Sequence, residues 1–109
     1  MQDRLLERIR AALPQDVSVR EVTMFGGRAF MVNEKLAVSA GRDGKLLVHV
    51  CPEDQAELLR REEASQAEMG EGRSMGTGWV SVDEFIVADD EILEFWLKTA
   101  LDYNRTLTN

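Results

Sequence analysis

The sequence predicts a two-layer α+β domain, an antiparallel sheet with helices packed mainly on one face, in the order α-β-β-β-β-α-β-β-α. Three observations lead there. An amphipathic helical stripe stands at each end of the chain, short β-type segments fill the middle, and hairpin turns join several of those segments. At 109 residues the chain fits a single domain, 1–109, and a chain of this length buries roughly two thirds of its unfolded surface. It needs neither disulfide nor metal to fold.

The first stripe is Leu5, Leu6, Ile9, Ala12 and Leu13, with Asp3, Arg4, Glu7 and Arg8 of mixed sign opposite; Pro14 ends the helix. Residues 19–25 alternate as a half-buried strand with Val22 and Met24 on one face. Gly26 and Gly27 interrupt it, which implies a bend, a bulge or a close backbone approach. Strands over 28–33 and 35–40 meet at Asn33-Glu34, where asparagine suits positive φ but glutamate is unusual, so the turn is of another type or strained. Residues 41–44 form a clearer hairpin turn into a strand over 45–50. Pro52, with Glu53 and Asp54 in the first turn, opens a helix to about Arg61 whose apolar side is Ala56, Leu58 and Leu59. The stretch 62–78 is weakly patterned, with a short strand at 67–69; a better strand follows at 79–82. Asp89, Asp90 and Glu91 put negative charge where a helix begins, and Ile92, Leu93, Trp96, Leu97, Ala100, Leu101 and Tyr103 continue it to about Arg105. This widest stripe is expected to be the main lid over the sheet.

Composition narrows the setting. No apolar run approaches the ~20 residues of a membrane span, and the N-terminus lacks the apolar core of a secretory signal. The single cysteine excludes an internal disulfide and suits a reducing compartment, so a cytoplasmic protein with no membrane attachment is expected. The net charge of −7 lies in the second part of the chain. Residues 1–62 carry ten acidic and ten basic side chains, whereas 63–109 carry ten acidic and three basic ones. Phosphate neutralisation supplies most non-specific nucleic-acid affinity, so such a chain is handicapped as a direct nucleic-acid ligand. An acidic surface instead suits a basic partner.

Several constellations bear on chemistry. Large apolar residues beside glycines usually serve packing, and Met24, Phe25, Gly26 and Gly27 read first in that way; the functional reading is a ledge for a partner segment. The glycine-rich stretch 70–78 matches neither phosphate-loop nor dinucleotide patterns, although Arg73 and Ser74 offer an anion contact. His49 and Cys51, two apart on a strand, share a face, and Cys51 before Pro52 occupies a helix start that favours a reactive thiol. A structural zinc site needs four ligands and a catalytic Cys–His pair needs an orienting group; the sequence supplies neither, so no metal, no cofactor and no enzyme activity are expected. The acidic residues Asp83, Glu84, Asp89, Asp90, Glu91 and Glu94 lack calcium-loop spacing. Trp79 beside the glycines is the aromatic expected at an interface.

Met24-Phe25-Gly26-Gly27, followed by a strand, a hairpin at Val32-Asn33-Glu34-Lys35 and an acid-started terminal helix bearing Trp96 and Tyr103, resembles the N-terminal domain of the TfoX/Sxy family. The similarity spans about 3–105. It implies a secretion-chaperone-like two-layer fold, a stand-alone single-domain member and a link to competence and transcription control, with no catalytic residues to carry over. The expected function is a non-enzymatic module that binds another protein. Direct nucleic-acid binding through arginines 4, 8, 10, 20, 28 and 42 is one alternative, and a small-ligand or redox-sensing domain using His49, Cys51 and the glycine-rich loop 70–78 is another. A symmetric homodimer is the first expectation for any oligomer.

Overall fold

The computed structural model describes residues 2–13, 18–24, 27–41, 44–70, 73–74 and 76–108. Helix α1 (Gln2–Ala12) leads into a meander of four strands, β1 (Val19–Met24), β2 (Gly27–Val32), β3 (Lys35–Ala40) and β4 (Leu46–His49). A 3-10 turn (Pro52–Asp54) runs into α2 (Gln55–Leu58). Then come β5 (Ala64–Gln66), β6 (Glu68–Gly70), β7 (Arg73–Ser74), β8 (Trp79–Val82), α3 (Glu84–Val87) and the long α4 (Asp90–Thr108). Six strands make one antiparallel sheet in the order β1-β2-β3-β4-β8-β5, while β6 and β7 pair as a separate ribbon. The predicted α+β class and the placing of helices at the two ends agree with this architecture.

Register aligns Phe30, Val38, Val48 and Val80 across the sheet, with Leu46 and Val82 paired beside them. All six are fully buried. The stripes of α1 (Leu5, Leu6, Ile9) and α4 (Leu93, Trp96, Leu97, Ala100) join the same core. Arg8 donates to Asp90 Oδ1 at 2.8 Å, tying α1 to the start of α4. Arg10 grips Glu21 of β1 through two hydrogen bonds of 2.8 and 2.7 Å. Among the described residues no helix is long and apolar enough to cross a membrane.

The Met24–Gly27 block sits at a hairpin. Met24 closes β1 and pairs with Gly27, which opens β2; Phe25 and Gly26 lie outside the described residues. A Cβ at Gly27 would stand 2.4 Å from Ala40 O and 2.9 Å from Gly41 Cα. The chain reverses here between antiparallel strands, and Gly27 makes the expected close backbone approach. Asn33 and Glu34 both adopt positive φ, 50° and 68°. This is the primed-turn conformation that twisted hairpins favour, with a side chain where glycine is usual. From α4, the buried Asn104 amide donates to Val32 O at 3.0 Å and Lys35 O at 3.4 Å, clamping that turn.

Elsewhere the elements differ from the sequence expectation in extent. The helix expected over 52–61 is a 3-10 turn plus the four residues of α2, because its apolar side is thin: Ala56 is exposed and Leu58 and Leu59 are only half-buried. The short strand expected at 67–69 is β6, at Glu68–Gly70 in the separate ribbon, whereas β5 at Ala64–Gln66, in the main sheet, was not expected. Helix α3 was not expected; Asp83, read as one of an acidic group, caps it by accepting from Phe85 N at 2.8 Å. Asp89 plays the expected part at α4, accepting from Glu91 N and Ile92 N at 2.9 and 3.3 Å.

Candidate functional site

The end of the sheet where β4 finishes and β8 starts brings His49, Trp79 and Tyr103 together. His49 and Trp79 are cross-strand partners. Their rings stack with centroids 4.2 Å apart at 12°. Tyr103, from the last turns of α4, meets the imidazole edge-on at 5.2 Å and 81°. His49 Nδ1 lies 3.2 Å from Leu36 O. A carbonyl only accepts, so Nδ1 holds the proton. Burial pulls the His49 pKa below its ordinary value, and the bond to Leu36 O opposes this only in part.

Two glutamines hold this cluster in place. The buried Gln55 amide donates to Gln66 Oε1 at 2.7 Å and to Trp79 O at 3.2 Å, while its oxygen accepts from Gly78 N at 2.6 Å. Gln66 donates in turn to Gly76 O at 2.9 Å. Gly78 has φ 99°, and a Cβ there would press on Val50 O at 3.3 Å. Val50 N donates to Gly78 O at 2.8 Å. The short α2, which has little apolar surface of its own, is thereby stapled to the chain that positions Trp79.

Beside the aromatics, a cleft of about 440 Å³ opens between α2 and α4, with Cys51, Asp54, Glu57, Leu58, Asp102 and Tyr103 in its lining. Tyr103 thus belongs to both the cleft wall and the His49 stack. Among the described residues the exposed carboxylates of Asp54 and Glu57 have no cationic partner. Asp102 is shared at 3.8 Å with Lys98 and 3.3 Å with Arg105, both exposed.

On the other side of α2, Arg61 stacks over Phe95 at 4.0 Å and donates to Glu63 at 2.5 Å. Trp96 Nε1 donates to the same carboxylate at 3.1 Å. Burial pushes the Glu63 pKa upward, but the Arg61 hydrogen bond, its own backbone amide and Trp96 together carry it below the ordinary value. This network fastens the β5 edge to α4 within the core.

Of the residues singled out from sequence, His49, Cys51 and Trp79 come to this one end of the sheet. They do so differently from expectation. β4 stops at His49, so Cys51 does not share a strand face with it but leads the 3-10 turn, half-buried in the cleft lining. The helix it opens is too short for a strong dipole. Among the described residues the imidazole is held by Leu36 O, Trp79 and Tyr103, and Cys51 is not one of its partners. Trp79 is half-buried beneath His49 and is not a free surface ring. Gly27 serves backbone packing and Met24 ends β1, while Arg73 opens β7 of the separate ribbon. Among the described residues no group of three or more His, Cys, Asp or Glu side chains is placed to hold a metal ion. Gln55, Gln66 and Asn104 escaped the sequence reading. For Asn104 the available signal was a polar residue on the apolar stripe of α4, four positions after Ala100; Gln55 and Gln66 carried no comparable signal.

An antiparallel sheet roofed by two helices, with a preformed cleft against the second, defines a small two-layer α+β module. The chain belongs to the TfoX N-terminal domain family, whose model matches residues 11–103. No curated protein and no solved structure gives a significant match.

Proposed function

We propose that this chain is a non-enzymatic interaction module that binds another protein, in a regulatory setting of the kind to which its family's competence regulators belong. The observation that carries this reading is the cleft between α2 and α4. It combines an apolar and aromatic floor with a carboxylate lip, the mixture that suits a protein segment. Its walls are fixed before any ligand arrives, because Tyr103 rests on His49, His49 on Trp79, and the Trp79 backbone on Gln55. Preorganisation of this sort lowers the ordering cost of binding. The same contacts give His49 a packing role and draw it away from acid–base chemistry. The excess of acid in 63–109 favours a basic protein over a nucleic acid.

Affinity capture from an extract of the protein's own cells, at low salt and with and without nuclease, tests this. A specific protein that survives nuclease is expected. Loss of every captured species on nuclease treatment would turn the reading toward nucleic acid.

A further inference from the structure

We infer that the α2–α4 cleft receives a basic segment of the partner protein, with a lysine or arginine head at the carboxylate lip and its alkyl stem along the floor. This rests on the reading of the chain as a protein-binding module and names the chemistry of what it binds. Two features of the cleft point the same way. The first is the distribution of side chains: Leu58 and Tyr103 offer apolar and π surface, while Asp54 and Glu57 stand beside them exposed and, among the described residues, without a cation. Long basic side chains bury a hydrocarbon stem while keeping the charged head near carboxylates, and they are attracted to aromatic faces. The second is the end of α4. Asp102, Tyr103 and Thr106 line the cleft from the last turns of a 19-residue helix, where the aligned peptide dipoles present negative charge. This effect is confined to the last turn, at Thr106 beside Arg105, so it supplements the side-chain carboxylates at one edge of the cleft. The volume, about 440 Å³, lies toward the small end of ligand sites, enough for a short stretch of chain.

Cys51 provides a reporter inside the cleft, since it is the chain's single cysteine. The rate of its alkylation by a maleimide is measured against rising concentrations of a short acetylated, amidated peptide of alternating lysine and leucine. The glutamate-for-lysine peptide and spermidine serve as comparison ligands. The basic peptide is expected to slow alkylation to saturation, and the acidic peptide to leave it unchanged. In the Asp54→Asn/Glu57→Gln variant the half-saturating concentration should rise roughly tenfold, the scale of two partly exposed ion pairs. The Glu91→Gln/Glu94→Gln variant removes the same charge from exposed positions near the other end of α4 and should behave as wild type. Absence of protection, protection by the acidic peptide, or equal weakening in both variants would overturn the assignment. Protection by spermidine at the concentrations effective for the peptide would overturn it in favour of small amines. A partner captured equally well by wild type and Asp54→Asn/Glu57→Gln would remove the cleft from the interface and leave the interaction reading intact.

Discussion

At the scale of single residues, the half-buried His49 and the buried Glu63 give the fold an acid dependence of known sign. His49 has a lowered pKa in the folded state, so the unfolded chain takes up the proton more readily. Stability is therefore full above the ordinary value of 6.5 and falls as pH drops from there toward the folded value. Glu63 is also lowered, and its contribution is present above the ordinary carboxylate value of 4.5 and lost as pH falls through the folded one. Because His49 is the only histidine, the upper window belongs to it. Urea midpoints followed against pH should decline from near 6.5 in wild type, and His49→Phe should abolish that decline while keeping the steeper one at lower pH. A slope unchanged in the variant would show that the imidazole is not the buried group described. Gly27 yields a second prediction. Alanine there places a methyl group against the Ala40 carbonyl, a backbone atom that cannot swing aside. Gly27→Ala should cost about 1–3 kcal/mol in urea denaturation, the range for overpacking a tight site.

At the scale of elements, the β2–β3 hairpin depends on a residue more than sixty positions away in the chain. Two consecutive positive φ values at Asn33 and Glu34 carry a conformational cost, and Asn104 of α4 offsets it by bonding the carbonyls on both sides of the turn. Asn104→Ala removes both hydrogen bonds from α4 to the turn and should cost about 1–3 kcal/mol. Faster amide exchange at Asn33 and Lys35 than elsewhere in the sheet would accompany it. If the loss is instead spread evenly over the sheet, the clamp is not local. How far such elements were legible in the sequence follows from what holds each one. α1, α4 and the meander are held by apolar periodicity, which a sequence displays; α4 in particular announces itself through Ile92, Leu93, Trp96, Leu97 and Ala100. α2, β5 and α3 are held by Gln55, Glu63 and Asp83, polar side chains whose partners lie 2 to 33 positions away. No local period records such partners, so these elements were misplaced or missed. The site shows the same division. His49, Cys51 and Trp79 stood out by residue type, but their meeting with Tyr103 depends on α4 crossing the end of the sheet.

At the scale of the whole molecule, charge and shape bear on one another. The first 62 residues are neutral overall and include the whole meander; the acidic excess falls in the chain that supplies α3, α4, the β6–β7 ribbon and strands β5 and β8. The cleft joins the two parts, with Asp54 and Glu57 from the first and Asp102 from the second. Attraction of a basic partner by such a surface should weaken as ionic strength rises, because exposed charges are screened over ~8 Å at physiological salt. The same field would repel a nucleic acid. The direct measurement is calorimetric titration of the intact chain with the captured partner, purified and nuclease-treated, over a series of salt concentrations. Saturable binding at a fixed stoichiometry, weakening as salt rises, is the result this account predicts; no saturable binding between the nucleic-acid-free proteins would contradict it.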